Sequence, residues 1–211
     1  MRRLPVYLLV DTSGSMKGEA IAAANNGLQA LISTLKSDPF ALESVFMSII
    51  TFDREVKEIV PLTSLEDLSS PVLQVPESGP TLLGKALEML EEKVGNEIVK
   101  NTSEVKGDWK PLLFVITDGK PSDKALYKEM AAKAANGIFA EIVACAAGPE
   151  AQVEPLKMLT KNVFTLATMD GASFTQFFKW VSQSIQQKTA LCPGSTEINL
   201  PPPPPEMTVV F

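Results

Sequence analysis

The sequence predicts an α/β fold with a doubly wound, mostly parallel sheet, and three observations lead to that prediction. Short apolar runs alternate with longer stretches of helical period along most of the 211 residues. Leu112 to Ile116 is apolar without a break, which is typical of a central strand covered by helices on both faces. A turn-forming segment, Phe52 to Glu55, separates two consecutive strand-like runs. We therefore expect a six-stranded, Rossmann-like sheet with one antiparallel edge strand and helices on both faces.

The individual strands and helices follow from two different periods. Strands are predicted where β-branched or apolar residues are concentrated: Val6 to Val10, Phe46 to Phe52, Glu55 to Val60, Leu112 to Thr117, Ile138 to Ala146 and Val163 to Leu166. Helices are predicted where apolar residues recur at steps of three and four: Ile21 to Leu35, Leu83 to Leu90, Lys124 to Ala135, Glu150 to Thr160 and Phe174 to Ile185. We expect the aromatic stripe of the last helix to face the core.

We predict one domain over residues 1–188 and a proline-rich C-terminal tail or linker over residues 189–211. Hydrophobic residues make up 45% and charged residues 21% of the chain, a composition that suits a globular core. Cys192-Pro193-Gly194 interrupts any regular element. The run from Pro201 to Pro205 lacks backbone N–H donors and favours an extended polyproline helix. A semi-rigid linker is therefore favoured over a segment that docks on an aromatic groove elsewhere.

Charge, histidine and cysteine content narrow the function classes. The net charge of −6, with no cluster of Lys and Arg, argues against nucleic acid as a partner. The absence of His removes the usual general base at neutral pH and the commonest zinc ligand. Cys145 and Cys192 show neither metal-site spacing nor a disulfide framework, as in a reducing compartment. No apolar segment approaches the ~20 residues that span a bilayer, so we expect a soluble, cytoplasmic protein.

Oxygen-bearing side chains are concentrated where the first predicted strand ends. Asp11, Ser13 and Ser15 stand at alternate positions beyond Val10, at the carboxyl edge where doubly wound sheets bind ligands. Oxygen-only ligands suit a hard cation such as Mg2+ or Mn2+ and would serve zinc or copper poorly. A helix cap is the other interpretation of this motif, because Asp and Ser satisfy the free N–H groups of a helix's first turn.

Two further segments favour the cation. The central strand ends in Thr117-Asp118-Gly119, which puts a second carboxylate at the same edge. Thr81 follows Gly79-Pro80 where a helix begins, so its hydroxyl can project from a loop into the same crevice. Five oxygen donors from three loops are thus predicted to converge as a metal site: Asp11, Ser13, Ser15, Thr81 and Asp118.

These three motifs, in this order, resemble the metal-ion-dependent adhesion site (MIDAS) of von Willebrand factor A (VWA) domains. The predicted order of elements from residue 4 to about residue 187 is similar to that fold. Gly107 to Pro111 and Phe177 to Val181 further resemble the bacterial tellurium-resistance-associated, TerY-like branch of the family. The sequence departs from many relatives at Pro80, where they have a second glycine.

The resemblance implies a protein-binding function without catalysis. Ser13, Ser15 and, in one state, Thr81 are expected to coordinate Mg2+ directly, with Mn2+ or Ca2+ as alternative ions. Asp11 and Asp118 are expected to act through bound waters. The last position on the ion would take an Asp or Glu carboxylate from a partner protein. In the tellurium-resistance branch, that partner would be a kinase or phosphatase of the same stress-response or phosphorylation-linked signalling system.

A Mg2+-dependent nucleotide-binding or phosphoryl-transfer enzyme remains as the alternative function. Gly79 to Ala86 has the two glycines and the lysine of a nucleotide-binding loop, but Ala86 replaces the Ser or Thr that should hold Mg2+. In a Mg2+-dependent phosphatase, Asp11 would be the nucleophile. However, Ser13 stands where the usual aspartate phosphatase pattern needs a second acid.

Overall fold

Helices and strands alternate along the chain, as the sequence patterns predict. The computed structural model describes residues 2–76, 79–118, 120–190 and 200–210. The strands are β1 (Leu4–Asp11), β2 (Val45–Phe52), β3 (Val56–Ser64), β4 (Leu112–Thr117), β5 (Glu141–Ala147), β6 (Asn162–Leu166) and β7 (Met207–Val210). The helices are α1 (Glu19–Lys36), α2 (Pro39–Ser44), α3 (Leu83–Glu97), α4 (Lys124–Ala135), α5 (Glu154–Lys157) and α6 (Gly171–Ala190), with a 3-10 turn at Gly14–Met16.

The strands form one sheet of order β3-β2-β1-β4-β5-β6-β7. The five strands from β2 to β6 in this order are parallel, while β3 and β7 are antiparallel at the two edges. The chain winds from β1 to β2 on one side and crosses to β4 on the other. The point of reversal lies between β1 and β4, where doubly wound folds open a crevice beyond the carboxyl ends of the strands. The doubly wound, mostly parallel α/β prediction is therefore confirmed.

Helices cover both faces of the sheet, which explains why every residue of β1 is buried. Val6, Leu8 and Val10 share a core cluster with side chains of α1 and α6. Tyr7 and Leu9 belong to a second cluster with side chains of α3 and α4. The predicted aromatic stripe of α6, formed by Phe174, Phe177 and Phe178, lies in the first cluster and is completely buried.

The sequence predictions missed or misjudged two helices. Pro39–Ser44 forms a short helix that no apolar period predicts. Its N-cap Asp38 accepts hydrogen bonds from the N–H groups of Phe40 and Ala41, and proline suits the first helical position. Between Glu150 and Thr160, only Glu154–Lys157 is an α-helix. Among the described residues, no helix combines the length and the apolar character needed to cross a bilayer.

The prediction of six strands with one antiparallel edge strand was wrong, because residues 200–210 contact the domain and supply a seventh strand. β7 pairs with β6, and Met207 is 4% exposed in the core. Trp180 Nε1 donates a hydrogen bond to the carbonyl oxygen of Pro201 at 2.9 Å. Pairing with β7 satisfies backbone groups that β6 would otherwise expose at the sheet edge. The division at residue 188 stays a prediction, and Cys192-Pro193-Gly194 lies outside the described residues.

Candidate metal centre

The candidate site lies beyond the carboxyl ends of β1, β2 and β4, which are neighbours in the sheet. Asp11 is level with Phe52 of β2 in the parallel register. Val10 is level with Ile116 of β4, so the residues that follow them, Asp11 and Thr117, end their strands side by side. The loops after the three strands are therefore brought together by strand order alone.

Asp11 is fully buried, and both of its carboxylate oxygens accept hydrogen bonds. Oδ1 accepts from the Ser13 backbone N–H at 2.8 Å, and Oδ2 accepts from Thr117 Oγ1 at 2.7 Å. Burial raises the pKa of the Asp11 carboxyl, the hydrogen bonds from Ser13 and Thr117 lower it, and the nearby charge of Asp118 raises it. A buried acid next to a second carboxylate is an environment that a divalent cation would stabilise.

The hydroxyls of Ser13 and Ser15 are brought together by the 3-10 turn that follows β1. Their Oγ atoms are hydrogen-bonded to each other at 3.0 Å. Buried Met16 anchors the turn, and its N–H donates to the Ser13 carbonyl oxygen at 2.9 Å. Adjacent ligands of an octahedral Mg2+ at about 2.1 Å from the ion are about 3 Å apart. The two hydroxyls therefore have a spacing that fits neighbouring positions on one small ion.

The helix-cap interpretation of this motif is wrong. Neither the 3-10 turn nor α1 receives a side-chain cap hydrogen bond. The N-cap position of α1 is Gly18, three residues beyond Ser15. Instead, the Asp11 carboxylate accepts from the Ser13 N–H, and the hydroxyls of Ser13 and Ser15 contact each other.

Asp118 and Thr81 are held at the same edge by backbone contacts. Asp118 is half-buried, and its Oδ1 accepts from the Lys120 N–H at 3.1 Å. Thr81 is buried and forms two hydrogen bonds with Ser122: its N–H donates to the Ser122 hydroxyl at 3.0 Å, and its carbonyl accepts at 2.9 Å. The loop of Thr81 is thus fixed to the loop after β4, and Gly119 lies outside the described residues. That the Thr81 hydroxyl binds metal stays a prediction.

Asp53 is a site residue that the sequence analysis did not identify. Its buried carboxylate accepts from Thr12 Oγ1 at 2.8 Å and from the Glu55 N–H at 3.0 Å. Its carbonyl oxygen accepts from the Leu82 N–H at 3.0 Å, next to Thr81. Asp53 therefore joins the loops after β1 and β2 to the loop before α3. A signal was available, because Asp53 directly follows a strand that neighbours β1.

Among the described residues, no three Asp, Glu, Cys or His side chains are grouped as a metal cluster. The candidate centre instead combines two carboxylates, Asp11 and Asp118, with hydroxyls. Such a set carries two negative charges and several neutral oxygens, which suits a hard divalent ion with room for additional ligands.

The segment Gly79 to Ala86 is not built as a nucleotide-binding loop. The N–H groups of Gly84 and Lys85 donate to the carboxylate of Asp123 at 3.1 Å and 2.8 Å. A Cβ on Gly84 would lie 2.5 Å from the backbone nitrogen of Tyr127, so this glycine is needed where α3 approaches α4. The amides that would hold a phosphate are already occupied, and the Lys85 side chain is exposed.

We therefore expect no ATP binding. Lys85→Ala should change the free energy of unfolding by less than about 0.5 kcal/mol, as is usual for surface positions. Gly84→Ala should lower it by about 1–3 kcal/mol, because the added methyl group meets the backbone of α4. Calorimetric ATP titration and urea denaturation of both variants measure these effects. Micromolar ATP affinity in the wild type that disappears in Lys85→Ala would contradict this interpretation.

Comparison with known proteins identifies a family that the sequence matches. The sequence profile described as the von Willebrand factor type A domain matches residues 6–184. No curated protein sequence matches the chain at a significant level.

Solved structures share the fold at low sequence identity. Proximal thread matrix protein 1 from the mussel byssus has a TM-score of 0.67 and 15% identity, covering 86% of this chain and 46% of that chain. A von Willebrand factor type A protein from Catenulispora acidiphila has a TM-score of 0.64 and 14% identity, covering 88% of this chain and 43% of its own. This chain thus spans less than half the length of either protein.

A second structure of the mussel protein is described as having a zinc-occupied MIDAS motif. It has a TM-score of 0.59 and 14% identity, with 88% of this chain and 48% of that chain covered.

Proposed function

Because the chain belongs to the von Willebrand factor type A domain family, we propose that it is a divalent-metal-dependent protein-binding module and not an enzyme. Domains of this family generally act as interaction modules. The observation that carries the proposal is the pair of hydroxyls on Ser13 and Ser15, 3.0 Å apart, beside the buried carboxylate of Asp11. Two observations argue against Asp11 as a phosphatase nucleophile. The side chain is fully buried, and both of its carboxylate oxygens already accept hydrogen bonds.

The proposed metal residues are Asp11, Ser13, Ser15, Thr81 and Asp118. We propose that the Ser13, Ser15 and Thr81 hydroxyls bind the ion directly and that the two carboxylates bind it through waters. Mg2+ is the proposed ion, with Mn2+ and Ca2+ as alternatives. Zn2+ belongs in any test, because zinc is reported at the MIDAS motif of the mussel protein. When bound, the ion supplies a positive centre that a carboxylate can ligate.

The proposed partner is a protein that offers an Asp or Glu carboxylate to this ion. The chain has a net charge of −6, and Asp11 and Asp118 stand at the site itself. Without a cation these carboxylates would repel an acidic side chain, whereas a divalent ion would attract it. A requirement for metal therefore follows from the charges at the site.

A narrower role in bacterial tellurite resistance or stress response, beside a kinase or phosphatase, is a further part of the proposal. Its support is the resemblance of Gly107 to Pro111 and Phe177 to Val181 to that branch. In the first stretch, Asp108 forms a salt bridge with Arg3 at 2.6 Å. Asp108 therefore has a structural role in this chain. A cytoplasmic location is also proposed, because Cys145 and Cys192 form no disulfide framework in the sequence, as in a reducing compartment.

Partner capture in Mg2+ and in EDTA tests this function. A lysate of the source cells is passed over the immobilised protein, and the proteins retained only with Mg2+ are identified and titrated. Asp118→Asn should weaken binding tenfold or more, about 1.4 kcal/mol, because it removes a charge that holds the ion while nearly preserving side-chain size. Thr81→Ala should act in the same direction.

Circular dichroism must first show that both variants are folded. Lys161→Gln, a change at a surface position between α5 and β6, serves as the control and should bind as the wild type does. Equal affinities of the wild type, Asp118→Asn and Thr81→Ala, each with and without metal, would show that the partner binds elsewhere.

A further inference from the structure

A groove of about 750 Å3 lies between the start of β3 and the outer face of α3. The half-buried side chains of Val56 and Met89 provide the apolar part of its lining. Arg54 lines one end, and a Cβ on Gly79 would lie 2.8 Å from the Cβ of Arg54. Since Gly79 lies two residues before Thr81, the groove begins beside a loop of the candidate metal centre.

The unpaired charges of the groove differ between its two ends. Arg54 follows the carboxyl end of β2, and Lys85 lies in the first turn of α3, so both cations stand near the metal edge. Glu88 and Glu92 lie further along α3, about 5 Å and 10 Å from Lys85 at 1.5 Å per residue. Within the part of the chain that the structure describes, no ion pair forms at any of these four side chains.

The remaining lining charges are neutralised locally. Glu55 pairs with Lys57 at 2.8 Å, and Glu91 lies 3.8 Å from Lys133 of α4. The groove therefore has two cations, Arg54 and Lys85, at the end next to the metal centre and two glutamates, Glu88 and Glu92, further along α3, with the apolar side chains beside them. A uniformly acidic segment would be repelled by the two glutamates, and a uniformly basic one by Arg54 and Lys85.

We propose that this groove binds an extended segment of the partner protein, the same segment that supplies the carboxylate to the metal. The inference rests on the proposed function and adds the chemistry of the partner. The segment carries its acidic residue at the end near Arg54 and Lys85, and basic side chains opposite Glu88 and Glu92. An extended chain rises about 3.3 Å per residue, so the ~10 Å between Lys85 and Glu92 corresponds to about three residues of the segment.

Synthetic peptides can test this proposal by NMR titration of 15N-labelled protein in Mg2+. The probe peptide has one Asp, Lys at the second and fourth positions after it, and a Leu between the two lysines. Alternate side chains of an extended chain face the same way, so both lysines can lie opposite Glu88 and Glu92. A second peptide has the reverse order of residues. Two further peptides, one for each order, have Gln in place of Lys. One of the two lysine peptides should shift amide signals at the start of β3 and along α3. Replacing its lysines should weaken binding about three- to tenfold, as expected for a pair of exposed charge contacts.

Variants of the protein should give the matching result. The double variant Glu88→Gln with Glu92→Gln should weaken binding of the lysine peptide by the same factor. Its affinity for the glutamine peptide should equal that of the wild type. Glu43→Gln combined with Glu66→Gln changes the net charge equally at exposed sites outside the groove and should have no effect. The double charge reversal Glu88→Lys with Glu92→Lys should instead favour a peptide with Glu in place of Lys.

Three results would overturn the groove proposal: no binding of either lysine peptide at millimolar concentration, equal binding of lysine and glutamine peptides, or equal losses in the test and control double variants. Repeating the titrations in EDTA separates this proposal from the metal-dependent function. Lysine dependence without metal dependence would retain the groove as a binding surface, but it would reject the metal function and the link between the groove and the metal. Metal dependence without lysine dependence would do the opposite.

Discussion

Asp11→Ala is expected to abolish the response of the melting temperature to divalent cations. An ion that binds only the native state at about one hundred times its Kd stabilises that state by about 2.7 kcal/mol. For a domain of this size, the melting temperature of the wild type should then rise by about 5–10 °C. The variant lacks the buried negative charge that balances the charge of the ion, so it should not bind the ion. Its melting temperature should therefore be the same with Mg2+, Mn2+, Zn2+ or EDTA. Differential scanning fluorimetry measures the effect.

Two further variants guard against a folding defect in Asp11→Ala. Ser15→Ala removes only an exposed hydroxyl, so it should fold normally and still reduce the metal response. Asp67→Ala removes the same charge as Asp11→Ala from an exposed position after β3 and should keep the full response. A wild-type melting curve that is indifferent to all three metals and to EDTA would reject the metal centre.

Trp180→Ala should lower the free energy of unfolding by about 3–5 kcal/mol, the range for truncation of a large buried aromatic side chain. Trp180 is 1% exposed, and its ring lies 4.8 Å from that of Phe164 in β6. Its indole N–H also donates to Pro201, which connects α6 to the segment that leads into β7. Urea denaturation measures the stability, and hydrogen exchange of the β7 amides measures the release of the edge strand.

Trp180→Phe separates the hydrogen bond from the packing. It leaves the Pro201 carbonyl without its donor and should lower stability by about 1–3 kcal/mol. Trp109→Phe serves as a control for the loss of an indole N–H, because the N–H of Trp109 is buried and has no hydrogen-bond partner among the described residues. We expect it to have little effect on β7. If the two substitutions to Phe gave the same stability and the same exchange of the β7 amides, the Trp180–Pro201 contact would not hold this strand.

Local patterns were sufficient for the parts of the fold that form within one segment. An unbroken apolar run predicted β4 with the bounds that the structure has, Leu112–Thr117. The apolar stripe of α6 predicted its buried face, although the helix extends to Gly171 and Ala190 at its ends. Apolar spacing carries this information because each strand or helix must turn its apolar side to a neighbour.

The sequence by itself also predicted a concentration of oxygen ligands after β1. Asp11, Ser13 and Ser15 lie within five residues, and one short turn brings the two hydroxyls to 3.0 Å. Strand order then places Asp118 at the same edge, because parallel strands present their carboxyl ends together. These placements need only local geometry and the alternation of strands and helices.

Only the tertiary structure decided the contacts between residues that are distant in the chain. Thr12 and Asp53 are 41 positions apart, and Asp123 reaches the first amides of α3 across 38 and 39 positions. β7 has four residues after a proline run, too few for a period to be recognised, and its place depends on the open edge of β6 and on Trp180. Hydrogen bonds of this kind depend on which backbones become neighbours after the core has formed, and no spacing within a single segment records that outcome.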